Sequence, residues 1–79
     1  MPKTLLKDRL ANDFTYHAPT PAQVTIYEAI RGQAHELAAI LIDEVPVGRE
    51  LSLALTKLEE AVFWANAGIA RAATRPDGA

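Results

Sequence analysis

The stretch "EVPVGREL", residues 44–51, decides the fold. Pro46 has no N–H to donate and cannot continue a helix ladder, while Gly48 suits the N-cap of a helix that begins behind it. Apolar residues recur at helical spacing on both sides of this break. Upstream they are Tyr27, Ile30, Ala34, Leu37 and Leu41; downstream they are Leu51, Leu55, Leu58, Val62, Ala65, Ile69 and Ala72. Alternating steps of three and four make an amphipathic helix in each case. Two long helices joined by so short a connection form an antiparallel hairpin.

The start of the first helix is written in "TPAQ", residues 20–23. Thr20 suits the N-cap, Pro21 the first helical position, and Gln23 can close a capping box back onto Thr20. This helix is expected to run to about Glu44. The second is expected from Arg49 to about Thr74, where "RPDGA" stops it. Some 25 residues make a rod of roughly 38 Å. Ahead of the hairpin, "FTYHAPTP" (14–21) carries two prolines and reads as extended. Residues 1–13, with Leu5, Leu6 and Leu10 among charges, read as a short amphipathic helical piece or a frayed arm. The organisation expected is an N-terminal arm (1–13), a helical hairpin domain (14–75) and a flexible tail (76–79). The fold class is all-α, an antiparallel hairpin assembling as a homo-oligomer.

The expectation of assembly comes from the second helix. A wheel at about 100° per residue leaves Leu53, Ala61, Trp64 and Gly68 on one flank of its stripe, with Phe63 and Asn66 on the other. One partner helix cannot cover both flanks. Ala61, Ala65, Gly68 and Ala72 permit close backbone approach, and Trp64 and Phe63 read as space-filling residues of a dimer or higher oligomer. Lys57, Trp64 and Arg71, seven residues apart, line up on the Trp64 flank. That row suits either an anionic aromatic ligand or cations snorkelling at the rim of an apolar surface. Asn66 would need amide partners if buried: a register-fixing bond between subunits, or a base or ribose contact.

Composition narrows the classes. Seventy-nine residues bury a small core, and with no Cys there is neither a disulfide nor a thiolate metal site to reinforce it. A formal charge of −2 supplies no basic footprint for polymeric nucleic acid, although a small anion needs only a few placed cations. No run approaches the ~18 apolar residues of a membrane span, and charges interrupt any signal-peptide core in "MPKTLLKDRL" (1–10). The expectation is a soluble intracellular protein. His17 and His35 lack partners at zinc-ligand spacing. Glu28, Glu36, Asp43 and Glu44 lie on exposed helix faces, and no Gly-rich phosphate loop is present. The expectation is a non-enzyme without a cofactor.

Two stretches, "DFTYHAPTPAQVTIYEAIR" (13–31) and "SLALTKLEEAVFWANAGIAR" (52–71), resemble the phage-encoded helical-hairpin sponges that counter CBASS and Thoeris immunity. The resemblance rests on three motifs taken together. They are an aromatic-Tyr-His-x-Pro lead-in, a Tyr-Glu-x-Ile-Arg first helix and a Leu-Glu-x-Ala-Val-x-Trp-Ala-Asn-Ala second helix. Ala18 stands where a second Pro is expected, and Phe63 where Met is more usual.

The resemblance implies a homo-oligomer, often a hexamer, that binds cyclic di- or trinucleotides or cyclic ADP-ribose isomers and sequesters them without cleavage in the host bacterial cytoplasm. It implies that Tyr16 stacks on a base and Arg31 meets phosphate. Phe14, His17, Asn66 and Arg71 complete the expected ligand-binding set. The alternative is a small helical protein-binding regulator or assembly module of a phage.

Overall fold

Pro46 breaks the chain as its chemistry requires. Val45, immediately before it, adopts φ −100°, ψ 129°, the extended backbone that a following proline imposes. Its N–H still donates to the Leu41 carbonyl at 2.9 Å and closes the helix behind it. Beyond the break, the Gly48 carbonyl accepts from the Ser52 N–H at 3.1 Å and opens the next helix. The computed structural model describes residues 2–72. The order is α1 (Lys3–Asp13), α2 (Pro21–Glu44) and α3 (Arg49–Ala72), with no strand among the described residues. The expected end near Thr74, the "RPDGA" stop and the tail at 76–79 lie outside them.

The capping box at the start of α2 is complete. The Gln23 N–H donates to Thr20 Oγ1 at 3.1 Å, and the Thr20 N–H donates to Gln23 Oε1 at 2.9 Å. Pro21 takes the first turn, where its missing N–H costs nothing. On α3 the termini carry charges matched to the helix dipole, with Glu50 in the first turn and Arg71 in the last. The two long helices have 24 residues each, about 36 Å of rod.

α2 and α3 lie against each other along their apolar stripes, and the burial they achieve is shallow. Among the described residues Leu51 alone is fully buried, at 7% exposure. Ile30, Ala34, Leu41, Leu55, Leu58, Val62, Ala65 and Ile69 are half-covered. Leu37, expected within the stripe, stands 46% exposed at its edge. Two rods can shield only the line along which they touch, so every stripe residue away from that line keeps part of its surface in water.

Residues 3–13 form a helix, although its leucines do not make a buried face. Leu6 and Leu10 are 48% and 57% exposed, and none of the residues of α1 is buried. Its last turn matters more than its length. The Asn12 side-chain Nδ2 donates to the Arg71 carbonyl at 3.4 Å, and Gln23 Nε2 donates to the Ile69 carbonyl at 3.4 Å. Both acceptors belong to the last four carbonyls of α3, which have no partner inside their own helix. The end of α3 is thus tied to the end of α1 and the start of α2.

Candidate functional site

The connection between α1 and α2 is where the site begins. Pro19 forces Ala18 out of helical backbone, and residues 16–20 run without regular structure. The segment is nevertheless held. His17 Nε2 donates to the Asn12 carbonyl at 2.7 Å, which bends the connection back onto the last turn of α1. Because a carbonyl only accepts, this bond fixes the proton on Nε2. Tyr16, one residue earlier, is left 84% exposed.

Beneath this segment, α2 contributes Tyr27 and Arg31. Their four-residue spacing puts them on one helix face, one turn apart. From α3 come Asn66, Ala67, Ala70 and Arg71. Together with Asp13 and Thr15 these residues enclose a cleft of ≈ 380 Å³ that also includes Tyr16 and His17. Ala67 and Ala70 line it with small side chains, where larger ones would take up the space.

Five of the six expected ligand-binding residues meet in this cleft: Tyr16, His17, Arg31, Asn66 and Arg71. Phe14 does not line it. It caps the C-terminal end of α1 with its N–H donating to the Leu10 carbonyl at 3.0 Å, and its ring is 83% exposed.

Two cations and one carboxylate set the electrostatics. Arg71 Nε lies 3.4 Å from Asp13 Oδ1, and both side chains are about three-quarters covered. This ion pair spans α1 and α3 and holds the guanidinium at the cleft wall. Asn66 Oδ1 is buried without a hydrogen-bond partner. An unmet acceptor of that kind costs about 1–3 kcal/mol, which a donor from a ligand or a second chain would recover.

The wheel set Asn66 and Arg71 on opposite flanks of α3, yet they line one cleft. α1 and the connection return over the C-terminal end of α3, and the long Arg71 side chain reaches round to Asp13. Of the Lys57–Trp64–Arg71 row, Lys57 pairs with Glu60 at 3.2 Å in solvent, and Arg71 pairs with Asp13. Sequence reasoning also left Tyr27 in the helix stripe and gave Asp13 no role. The four-residue step from Tyr27 to Arg31 was the available signal for the first. Asp13 had none, because its partner is 58 residues away along the chain.

The fold is an all-helical hairpin whose cleft brings the exposed Tyr16 ring together with the guanidinium groups of Arg31 and Arg71. The family model described as "Acb2/Tad1, hairpin domain" matches residues 7–70. The chain belongs to this family, the anti-CBASS/anti-Thoeris sponges. No curated protein and no solved structure matches it.

Proposed function

We propose that this protein binds a cyclic oligonucleotide or cyclic ADP-ribose-type signal of bacterial anti-phage defence and sequesters it intact in the host cytoplasm. The observation that carries the reading is the gathering of Tyr16, His17, Arg31, Asn66 and Arg71 around one cleft in a chain of this family. A base stacks on the exposed Tyr16 ring, since any base offers a π-face. The Arg31 guanidinium donates two parallel hydrogen bonds to phosphate. Arg71, oriented by Asp13, adds a second positive group to the wall.

Assembly belongs to the same proposal. Opposite the cleft, Ala29, Ile30, Gln33, Ala34 and Leu37 of α2 and Leu58, Ala61, Val62 and Ala65 of α3 line an apolar groove of ≈ 490 Å³. Ile26, Ile40, Leu53 and Trp64 extend this face on the helical wheel and are 46–70% exposed. A β-carbon built on Gly68, on the same flank, would meet nothing within 4 Å. A helical Gly costs roughly 1 kcal/mol against Ala, and the described residues offer no packing reason for it. Copies of the same chain cover this face in a homo-oligomer, and the homohexamer is the arrangement proposed. The same face supports the second reading, a helical module that binds a different protein.

Heating the purified protein and analysing the soluble fraction tests the reading. A sponge releases an intact cyclic nucleotide. A protein-binding module releases no nucleotide, and an enzyme returns linear product; either result contradicts the proposal.

A further inference from the structure

Two of the three helices carry charges set against their own dipoles. A helix N-terminus favours carboxylates and a C-terminus favours cations. α3 follows this rule, with Glu50 in its first turn and Arg71 in its last. α1 reverses it at its start: Lys3 is its first residue, no acidic residue stands in the first turn, and no side chain caps it. α2 reverses it at its end, where Asp43 and Glu44 close a last turn that holds no basic residue. The surrounding segments share these signs. Residues 3–10 hold three cations and one carboxylate, and residues 43–50 hold three carboxylates and one cation.

Apolar side chains accompany both segments. On the helical wheel Lys3, Leu6, Lys7 and Leu10 share one face of α1. The two lysines are exposed, and the leucines are 48% and 57% exposed. At the hairpin loop, Val47 is 96% exposed close to the exposed Asp43 and Glu44. Within one chain the two patches stand apart. α1 is tied to the end of α3 through Asn12 and Asp13, whereas the loop lies at the far end of rods about 36 Å long.

We infer that the α1 face of one copy docks on the loop end of another, a head-to-tail contact. Lys3 and Lys7 lie against Asp43 and Glu44 of the partner subunit, so each side meets the helix-end charge of the other. Leu6 and Leu10 close over the partner subunit's Val47. The occupant is a second copy of this chain, because both complementary halves belong to one sequence and sit at its opposite ends. Such a contact is heterologous: it closes copies into a ring where the rotation between them completes a turn, and otherwise runs on as a filament. It shares no residue with the apolar groove between α2 and α3, and it is independent of what the cleft binds.

Charge reversal in the full chain tests the contact, with particle mass read by light scattering at one protein concentration. Lys3→Glu/Lys7→Glu makes both ends acidic, and Asp43→Lys/Glu44→Lys makes both ends basic. Each variant alone is expected to lose particle mass relative to wild type. An equal mixture of the two should recover the wild-type mass, since every acidic α1 then finds a basic loop and every basic α1 an acidic one. A chain carrying all four reversals should recover it as well. The four residues are exposed and the reversals suit the dipoles of their own helices, so circular dichroism should show helix content kept or raised.

The contact is overturned if either variant alone keeps the wild-type mass, or if helix content falls together with the mass. It is also overturned if the mixture or the four-reversal chain stays small, or if wild type is itself monomeric. A wild-type mass kept by both variants leaves assembly through the apolar groove standing, and none of these outcomes bears on nucleotide binding by the cleft.

Discussion

The two sides of the α2–α3 hairpin are built from the same helices and solve opposite problems. On the cleft side, side chains from three helices and a connection engage one another: Asn12 with Arg71 and His17, Asp13 with Arg71, Gln23 with Ile69. On the opposite side, Ile26, Ile40, Leu53 and Trp64 stand 46–70% exposed. The difference teaches that the chain organises its cleft side by its own contacts, whereas its apolar side is left for other molecules on the function proposed above. A single apolar face this large would be a standing cost in a monomer, because exposed contiguous apolar surface marks an interaction site.

Trp64→Ala gives the largest expected effect and breaks the comparison if it fails. In the single chain Trp64 is 70% exposed, so truncation alone would change stability little. Against a neighbouring chain, the same truncation should cost about 3–5 kcal/mol of assembly stability. Thermal melting and light scattering measure it, and an unchanged melting temperature and particle size would place Trp64 in solvent.

Arg31→Ala and Tyr16→Ala address the other side and should spare assembly. Arg31→Ala removes a charge-assisted phosphate contact worth roughly 1.5–3 kcal/mol, and Tyr16→Ala a stacking contact worth roughly 1–3 kcal/mol. Binding measured across a salt series separates them. Added salt should weaken wild type and the Tyr16 variant more than the Arg31 variant, which has already lost the charge.

Gly68→Ala sharpens the comparison because the single chain and the assembly give it opposite signs. In the chain alone the added methyl meets open space and should stabilise α3 by roughly 0.4–1 kcal/mol. With a neighbouring helix close to the Gly68 backbone it should instead lower the assembly's melting temperature. A plain gain in stability would show that no helix approaches there.

Asp13→Asn carries the smallest effect. The partly covered Asp13–Arg71 pair contributes less than about 1 kcal/mol to stability. Removing its negative charge should raise affinity for an anionic ligand a few-fold, roughly the size of one screened charge contact. A loss of affinity on calorimetry would mean that Asp13 acts chiefly by aiming Arg71.

What the sequence made legible was local chemistry. Thr20, Pro21 and Gln23 state a helix start in adjacent residues, and Val45–Pro46 state a stop; all of them act as their types require. The two flanks left over on α3 were likewise visible from spacing alone. The cleft was less legible, because its walls come from segments that meet only after α1 turns back over the end of α3. Tyr16 and Arg31 were reached through resemblance to a family. Asp13 and Asn12 gave no signal, since an acid and an amide at a helix end read as ordinary C-terminal residues until Arg71 is beside them. Phe14, one of the expected ligand-binding residues, does not line the cleft, whereas its neighbours Asp13, Thr15, Tyr16 and His17 do.

The central claim is that the cleft holds a cyclic nucleotide intact. Its most direct test is calorimetric titration of the purified protein with a panel of cyclic dinucleotides, cyclic trinucleotides and cyclic ADP-ribose isomers, followed by recovery of the bound molecule. At least one member should bind saturably, weaken by one to two orders of magnitude, about 1.4–2.7 kcal/mol, in Tyr16→Ala and in Arg31→Ala, and return unhydrolysed. Failure of every member to bind, equal binding by both variants and wild type, or recovery of a linear product would contradict it.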